Sequence, residues 1–160
     1  MKFTDIKGFP NYNAPASNLK VYDRLAMFKA IAVSKLSSAK KRKVGCIGVN
    51  LLGEMISYGF NRNPYGSLCE DDCGNTLPEV VHAEDDMFRY VSSSRYIDSV
   101  FVTCEPCEQC AKILVMRRIN FGELLFKEVR SSANRYKGVN MLKDVGIPVF
   151  RLFSSGRVRV

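Results

Sequence analysis

The stretch SVFVTCEPCEQCAKILVMRRI, residues 99–119, contains a predicted strand, three cysteines and a predicted helix in direct succession. The run SVFVT is apolar and rich in β-branched residues, which predicts a buried strand. Pro106 precedes the next segment, and a proline there is typical of a helix start. Cys104, Cys107 and Cys110 follow one another at intervals of three residues. Thiolates at this spacing can hold an iron–sulfur cluster or a zinc ion, or they can be buried side chains without a ligand.

Further helices and strands are predicted on both sides of this stretch. A helical pattern starts at Asn18 and ends near the basic run AKKRK, and KVGCIGVN with EMISYGF predicts a β-hairpin. A polar loop follows over residues 61–78, and a helix that carries His82 opens near Glu79. After residue 119, GELLF, NRYKGVNMLKDV and IPVFRLF predict strand, helix and strand. The pattern predicts an α/β fold in three α-β-α layers around a five-stranded mixed sheet.

The length and composition of the chain favour one soluble domain. It has 160 residues, of which 46% are hydrophobic and 25% charged. We expect an irregular arm over residues 1–17 and a single domain over residues 18–160. No run approaches the about 18 uncharged apolar residues of a membrane span, and the first residues lack the apolar core of a signal peptide. We therefore expect a cytoplasmic protein without a membrane partner, in which six cysteines indicate metal binding or catalysis rather than disulfides.

The positive charge of the chain is unevenly distributed. Residues 1–43 contain ten Lys and Arg residues and two acidic residues. Residues 44–93 contain two and eight, and residues 94–160 contain twelve and six. A basic arm and a basic C-terminal third suit a phosphate-bearing partner. A solvated surface has the same composition, so the charge is compatible with an anionic ligand and does not establish one.

An iron–sulfur site fits the cysteine pattern poorly. A bacterial-type cluster needs a fourth cysteine soon after the third, and no cysteine follows Cys110. A distant ligand from Cys46, Cys69 or Cys73 would still complete such a site. The spacing weakens the iron–sulfur interpretation without excluding it.

A zinc site fits better, because His82 supplies a third kind of ligand. His82 is the only histidine of the chain, which excludes any site that needs two. Cys107 and Cys110 at a helix start, with one imidazole, give three ligands and leave a fourth tetrahedral position for water, as in catalytic zinc sites. Glu84 stands two residues after the histidine, where it can carry protons for that water.

The pattern H-x-E at residues 82–84 followed by P-C-x-x-C at residues 106–110 resembles the signature of the zinc-dependent cytidine deaminase superfamily. Within it, KVGCIGV, GFNRNPYG and CAKILVMRRI are similar to segments of the deoxycytidylate deaminases, so that the resemblance covers about residues 20–153. It implies a cytidine deaminase-like fold, a zinc cofactor and hydrolysis of dCMP to dUMP and ammonia. It also implies a homo-oligomer, with dCTP and dTTP as candidate allosteric ligands.

The resemblance assigns further roles. Cys104 falls on an apolar position of the family and is expected in the core, which leaves His82, Cys107 and Cys110 as metal ligands and Glu84 as the catalytic residue. Asn61 is expected on the sugar or phosphate, and the backbone around Ala83 and Thr103 on the pyrimidine edge. Lys43 and Arg62, and more weakly Tyr136, are candidates for the phosphate. The candidate substrate-binding residues are Asn61, Ala83, Thr103, Lys43, Cys46, Arg62 and Tyr136.

Three residues depart from the family pattern. Asp86 stands where relatives commonly have Asn, Cys46 where they have the alanine that lines the base pocket, and Arg62 where they have glycine. Some relatives also carry a second, structural zinc in the loop of residues 61–78. Cys69 and Cys73 are either ligands of such an ion or two unligated thiols.

Two other functions stay open at this point. The basic arm, and the similarity of E-P-C to the tRNA-editing adenosine deaminases, favour a deaminase that acts on a base in RNA or single-stranded DNA. Asp86 and Cys46 are compatible with a zinc-stabilised interaction protein that has lost turnover.

Overall fold

The helices and strands are short and alternate in the order predicted from the sequence. The computed structural model describes residues 22–66, 68–89, 91, 97–116, 122–128, 137–153 and 156–160, and both the predicted arm and Tyr136 lie outside them. No helix in these ranges is long and apolar enough to cross a membrane. The elements are α1 (Asp23–Ser34), β1 (Gly45–Val49), β2 (Met55–Phe60), α2 (Ala83–Phe88), β3 (Ser99–Cys104), α3 (Glu108–Met116), β4 (Glu123–Glu128), α4 (Lys137–Asp144), β5 (Val149–Leu152) and β6 (Arg157–Arg159).

The strands form one mixed sheet in the order β2-β1-β3-β4-β5-β6. β1 pairs antiparallel with β2 and β3, whereas β3, β4 and β5 run parallel. The predicted hairpin and the parallel pairing of the later strands are thereby confirmed. Parallel strands need crossover connections, and the helices between them supply these.

The prediction of five strands was wrong by one, because β6 gives almost no signal in the sequence. It has three residues, Arg-Val-Arg, and pairs antiparallel with β5. Arg157 holds it in place: its Nη1 donates to Glu123 Oε1 at 2.8 Å, and its guanidinium lies over the Phe150 ring at 4.2 Å. These partners are distant in sequence, so periodicity within the strand could not reveal them.

Helices cover both faces of the sheet, as predicted. On one face, Met27 and Ala30 of α1 pack with Ile47, Phe101 and Leu125. On the other face, α2, α3 and α4 bury a second cluster against the alternate residues of the same strands. α1 lies so close to β1 that a side chain at Gly45 would collide with the backbone of the helix.

The helix that was predicted to open near Glu79 begins four residues later, at Ala83. The preceding backbone is extended, since Val81 and Arg62 exchange two backbone hydrogen bonds of 2.9 and 3.1 Å. His82, with ψ of 155°, ends this extended segment and occupies the N-cap position of α2. The histidine therefore lies at the end of the helix and not on its side.

The first helix ends at Ser34, well before the basic run where the sequence predicted its end. The segment of residues 37–43 is held against the loop of residues 61–78 instead. Both oxygens of the Glu70 carboxylate accept the backbone N–H of Lys40 at 3.0 Å, and one also accepts that of Lys41 at 3.2 Å. This carboxylate competes with helix formation for the same N–H groups.

Candidate metal centre and substrate cleft

The three predicted metal ligands come together at the N-terminal ends of α2 and α3. His82 caps α2, Cys107 directly precedes α3 and Cys110 lies in its first turn. His82 Nδ1 is 3.1 Å from Cys110 Sγ and 3.5 Å from Cys107 Sγ. Zinc bonds of about 2.0 to 2.3 Å at tetrahedral angles place such donors roughly 3.5 to 3.8 Å apart. The three donor atoms lie within 4.8 Å of one another, which suits zinc, and in the described ranges they are the only group of three or more potential ligands.

Two glycines that the sequence analysis did not single out hold these helix ends in place. A side chain at Gly138 of α4 would collide with the backbone of Pro106 and Cys107. A side chain at Gly59 of β2 would collide with the backbone of α2, at Ala83 and Met87. The available signal was a glycine inside a helical pattern and another inside a strand, both of which mark close backbone approach.

The surroundings of Cys107 favour its thiolate form, and those of Cys110 favour the thiol. The hydrogen bond from Cys110, with a further contribution from His82, lowers the pKa of Cys107 to about 3. The same bond, together with burial, raises the pKa of Cys110. A divalent cation bound between the sulfurs would displace the remaining proton, since metal ligation requires deprotonated cysteines.

Glu84 lies beside this cluster and is almost completely buried, with 3% of its surface exposed. Burial raises the pKa of its carboxyl group, while a hydrogen bond with the Cys110 thiol opposes the shift. A carboxyl group with a raised pKa exchanges protons more readily near neutral pH than an exposed one. The position and the environment of Glu84 suit a proton carrier.

A cleft of about 130 Å³ opens next to the metal centre. One side, here called the helix wall, consists of His82, Ala83 and Glu84. A second part of the lining, here called the loop wall, consists of Lys41, Arg42, Asn61, Glu70 and Thr76, and Val44, Cys69 and Val80 complete the lining. The cleft therefore brings one metal donor, His82, and the candidate catalytic carboxyl group together with polar residues that include two cations.

Asn61 lines the cleft, and half of the hydrogen-bonding capacity of its amide is engaged with the backbone. Its Oδ1 accepts the N–H of Val44 at 2.8 Å, and its Nδ2 donates to the carbonyl of Arg42 at 2.8 Å. The amide thus clamps the chain on both sides of Lys43. One N–H and one lone pair of the amide remain for a ligand.

Two of the three departures from the family pattern are partners of each other. Arg62 Nε donates to Asp86 Oδ1 at 2.8 Å, and the backbone N–H of Phe60 donates to Asp86 Oδ2 at 3.2 Å. Arg62 and Lys43 are not part of the cleft lining. The cations that the structure brings to the cleft are Lys41 and Arg42, neighbours of the residues that the sequence suggested.

Cys46 and Thr103 lie behind the cleft. Cys46 is completely buried, its Sγ is 3.5 Å from Met87 Sδ, and burial raises the pKa of its thiol. The Thr103 hydroxyl accepts the backbone N–H of Gly45 at 3.1 Å. Cys104 is buried at the end of β3, as expected for a core residue.

Cys69 and Cys73 occupy different environments. Cys69 is buried with its Sγ 3.4 Å from Ser38 Oγ, whereas Cys73 is exposed. All six cysteines and the single histidine belong to the described part of the chain, and neither Cys69 nor Cys73 joins a group of three potential ligands there. This arrangement favours two unligated thiols.

A family model matches the sequence, and solved structures match the fold. The family model of the cytidine and deoxycytidylate deaminase zinc-binding region matches residues 21–122. The dCMP deaminase of the cyanophage S-TIM5, in complex with dCMP and dUMP, is 29% identical, with 84% of this chain and 100% of that chain covered and a TM-score of 0.71. Its apo form is 24% identical over 80% and 94%, with a TM-score of 0.62. RibD of Acinetobacter baumannii is 24% identical over 78% and 33%, with a TM-score of 0.60. No curated protein sequence matches significantly.

Proposed function

This chain belongs to the cytidine and deoxycytidylate deaminase family, and on that basis we propose that it hydrolyses dCMP to dUMP and ammonia. The observation that carries the proposal is the cleft beside the three zinc donors, whose lining combines His82 and the buried Glu84 carboxyl group with the cations Lys41 and Arg42. The similarity to a phage dCMP deaminase over the whole of that chain supports a nucleotide as substrate.

His82, Cys107 and Cys110 would hold the zinc ion, which when bound supplies a water molecule activated for attack on carbon. Glu84 moves the protons of the reaction. Its carboxylate accepts one proton from that water and passes it to N3 of the cytosine ring. It then accepts the second proton of the same water, from the oxygen now bonded to carbon 4, and passes it to the departing amino group. Carbon 4 gains an oxygen and loses ammonia, which leaves the uracil ring of dUMP.

The remaining site residues orient the substrate. Ala83 lies in the helix wall between His82 and Glu84, so its backbone is the group that we expect on the pyrimidine edge. Asn61 approaches from the loop wall, toward the sugar. Thr103, whose hydroxyl accepts the N–H of Gly45, would contribute its backbone.

A panel of substrates tests the proposal. Ammonia release would be measured with deoxycytidine, cytidine, dCMP, dCTP and a cytosine-containing single-stranded oligonucleotide, and zinc content would be determined on the same preparation. We expect the highest kcat/KM with dCMP as the substrate, and we expect dUMP as its product. Equal efficiency with deoxycytidine, or an oligonucleotide that outcompetes dCMP, would contradict the assignment.

A further inference from the structure

Arg42 is a cation of the loop wall that has no acidic partner among the described residues. The half-buried side chain lines the cleft that also contains His82 and Glu84. Its Nη1 donates to Cys104 Sγ at 3.1 Å, and among the described residues its guanidinium makes no other hydrogen bond and no ion pair. A thiol sulfur is a weak acceptor. Most of the five N–H donors of this guanidinium are therefore available to a ligand.

Two contacts hold Arg42 in this position. The Asn61 amide binds the Arg42 carbonyl and the Val44 N–H, both at 2.8 Å, and so fixes the backbone of residues 42–44. Cys104, only 2% exposed at the end of β3, holds the guanidinium itself. The bond to Cys104 uses one nitrogen and leaves the Nε–Nη2 edge of the fork for a second acceptor.

The other cations near the cleft differ from Arg42 in their environment. Lys41 is exposed and lies near acids of the loop, where its charge contributes to the lowered pKa of Glu70 and of Asp71. Arg62 is paired with Asp86 at 2.8 Å. Lys43 is exposed outside the cleft lining.

We propose that Arg42 is the specificity-determining residue that binds the phosphate of the nucleotide substrate, with Asn61 and Cys104 as positioning residues. The inference rests on the proposed function, since the phosphate belongs to the same substrate. A planar guanidinium matches phosphate oxygens with two parallel hydrogen bonds, and these charge-assisted bonds are among the strong ones. A nucleoside lacks the phosphate that Arg42 would bind, so Arg42 favours dCMP over deoxycytidine as the substrate.

The test is a calorimetric titration of the zinc-loaded full chain with dUMP and with deoxyuridine, so that binding is measured without turnover. We expect Arg42→Ala to weaken dUMP binding by about tenfold to a hundredfold and to change deoxyuridine binding less than about twofold. Arg42→Lys should fall between, because an ammonium group keeps the charge and loses the fork. Lys40→Ala is the matched control: it removes an equal charge from the same segment, and Lys40 is exposed outside the cleft lining.

Cys104→Ala tests the positioning role. We expect a several-fold loss of dUMP affinity, unchanged deoxyuridine affinity, and for dCMP turnover a raised KM with kcat retained. If Cys104 had a purely structural role, the variant would lose affinity for dUMP and for deoxyuridine to the same extent. Zinc content and thermal unfolding of each variant show whether the fold is intact.

The proposal is overturned if Arg42→Ala binds dUMP as tightly as the wild type, or weakens both ligands equally. It is also overturned if Lys43→Ala costs more dUMP affinity than Arg42→Ala, or if the wild type does not distinguish dUMP from deoxyuridine. A failure of the proposed function can be distinguished from a failure of the Arg42 proposal. A wild type that binds dUMP through Arg42 but releases no ammonia from dCMP would remove the activity and leave the phosphate site.

Discussion

The helix wall of the cleft is held by close contacts between backbones, whereas the loop wall is held by side chains that bind backbone groups. Gly59 allows β2 to approach α2, which carries the helix wall, and Gly138 allows α4 to approach Cys107 at the start of α3, next to that wall. In the loop wall, the Asn61 amide and the Glu70 carboxylate bind the N–H and C=O groups of the segment of residues 40–44. An added methyl group should therefore disturb the first wall, and a removed polar group the second.

The largest effect is expected from Glu84→Gln, which keeps the shape of the helix wall and removes its proton carrier. A general acid–base group contributes about 10²- to 10⁴-fold to a rate, and Glu84 serves several transfers in succession. Ammonia release from dCMP should fall by at least that range while zinc stays bound. A variant that retains a near-native rate would place the proton transfers elsewhere.

The packing of α4 against the start of α3 is tested by Gly138→Ala. Alanine normally stabilises a helix interior relative to glycine by about 1 kcal/mol. Here the added methyl group would collide with Pro106 and Cys107, and such overpacking costs about 1 to 3 kcal/mol. We expect a lower free energy of unfolding and weaker zinc retention, measured by denaturant titration and by chelator competition.

Asn140→Ala in the same helix is the matched control for that experiment. Asn140 is exposed, and alanine improves the helix propensity there without a collision. Its stability should be unchanged or slightly higher. If both variants behave alike, close packing at Gly138 is not what holds Cys107.

The pair of Arg62 and Asp86 connects the loop after β2 to α2, and so joins the two walls. Asp86 is only 4% exposed, so Arg62→Gly would leave a buried carboxylate with weaker compensation. We expect the free energy of unfolding of this variant to be lower by about 1 to 3 kcal/mol. The double variant with Asp86→Asn, which restores both usual family residues, should recover most of the loss. Additive effects in this double-mutant cycle would show that the two departures are independent.

The smallest effect concerns the response of the loop wall to acid. Hydrogen bonds from the backbone of Lys40, and further ones from Lys41, lower the pKa of Glu70. A lowered pKa adds stability above the unfolded value of about 4.3, and this stability is lost as the pH falls through the lower folded value. Below pH 4.3 the wild type should lose more free energy of unfolding than Glu70→Gln does. Asp72→Asn, which removes an exposed carboxylate of the same loop, should follow the wild type; equal curves for all three would contradict the role of Glu70.

The two walls also differ in how much of them the sequence predicts. The metal donors and Glu84 can be predicted from the short motifs H-x-E and P-C-x-x-C. The members of each motif are at most a few residues apart in the sequence, so local structure alone brings them together. The start of α2 was wrong by four residues, since the pairing of Val81 with Arg62 depends on a contact nineteen positions apart. β6 was missed for the same reason, as its arginine finds its partners on other elements.

In the loop wall, the sequence predicts a cationic segment but not which of its side chains enters the cleft. Residues 40–43 read KKRK, and nothing within these four letters separates Arg42 from Lys43. The separation arises from the contacts of this segment with Asn61, Glu70 and Cys104. Those contacts exist only after the loop and β3 have assembled.

The most direct test of the account is the zinc content of purified Cys107→Ser compared with that of Cys104→Ser. The assigned metal donors are His82, Cys107 and Cys110, and Cys104 is not a ligand. We expect one tightly held zinc per chain in the wild type and in Cys104→Ser, and loss of both zinc and ammonia release in Cys107→Ser. A folded Cys104→Ser without zinc, or a Cys107→Ser that keeps its zinc and deaminates at the wild-type rate, would contradict this assignment.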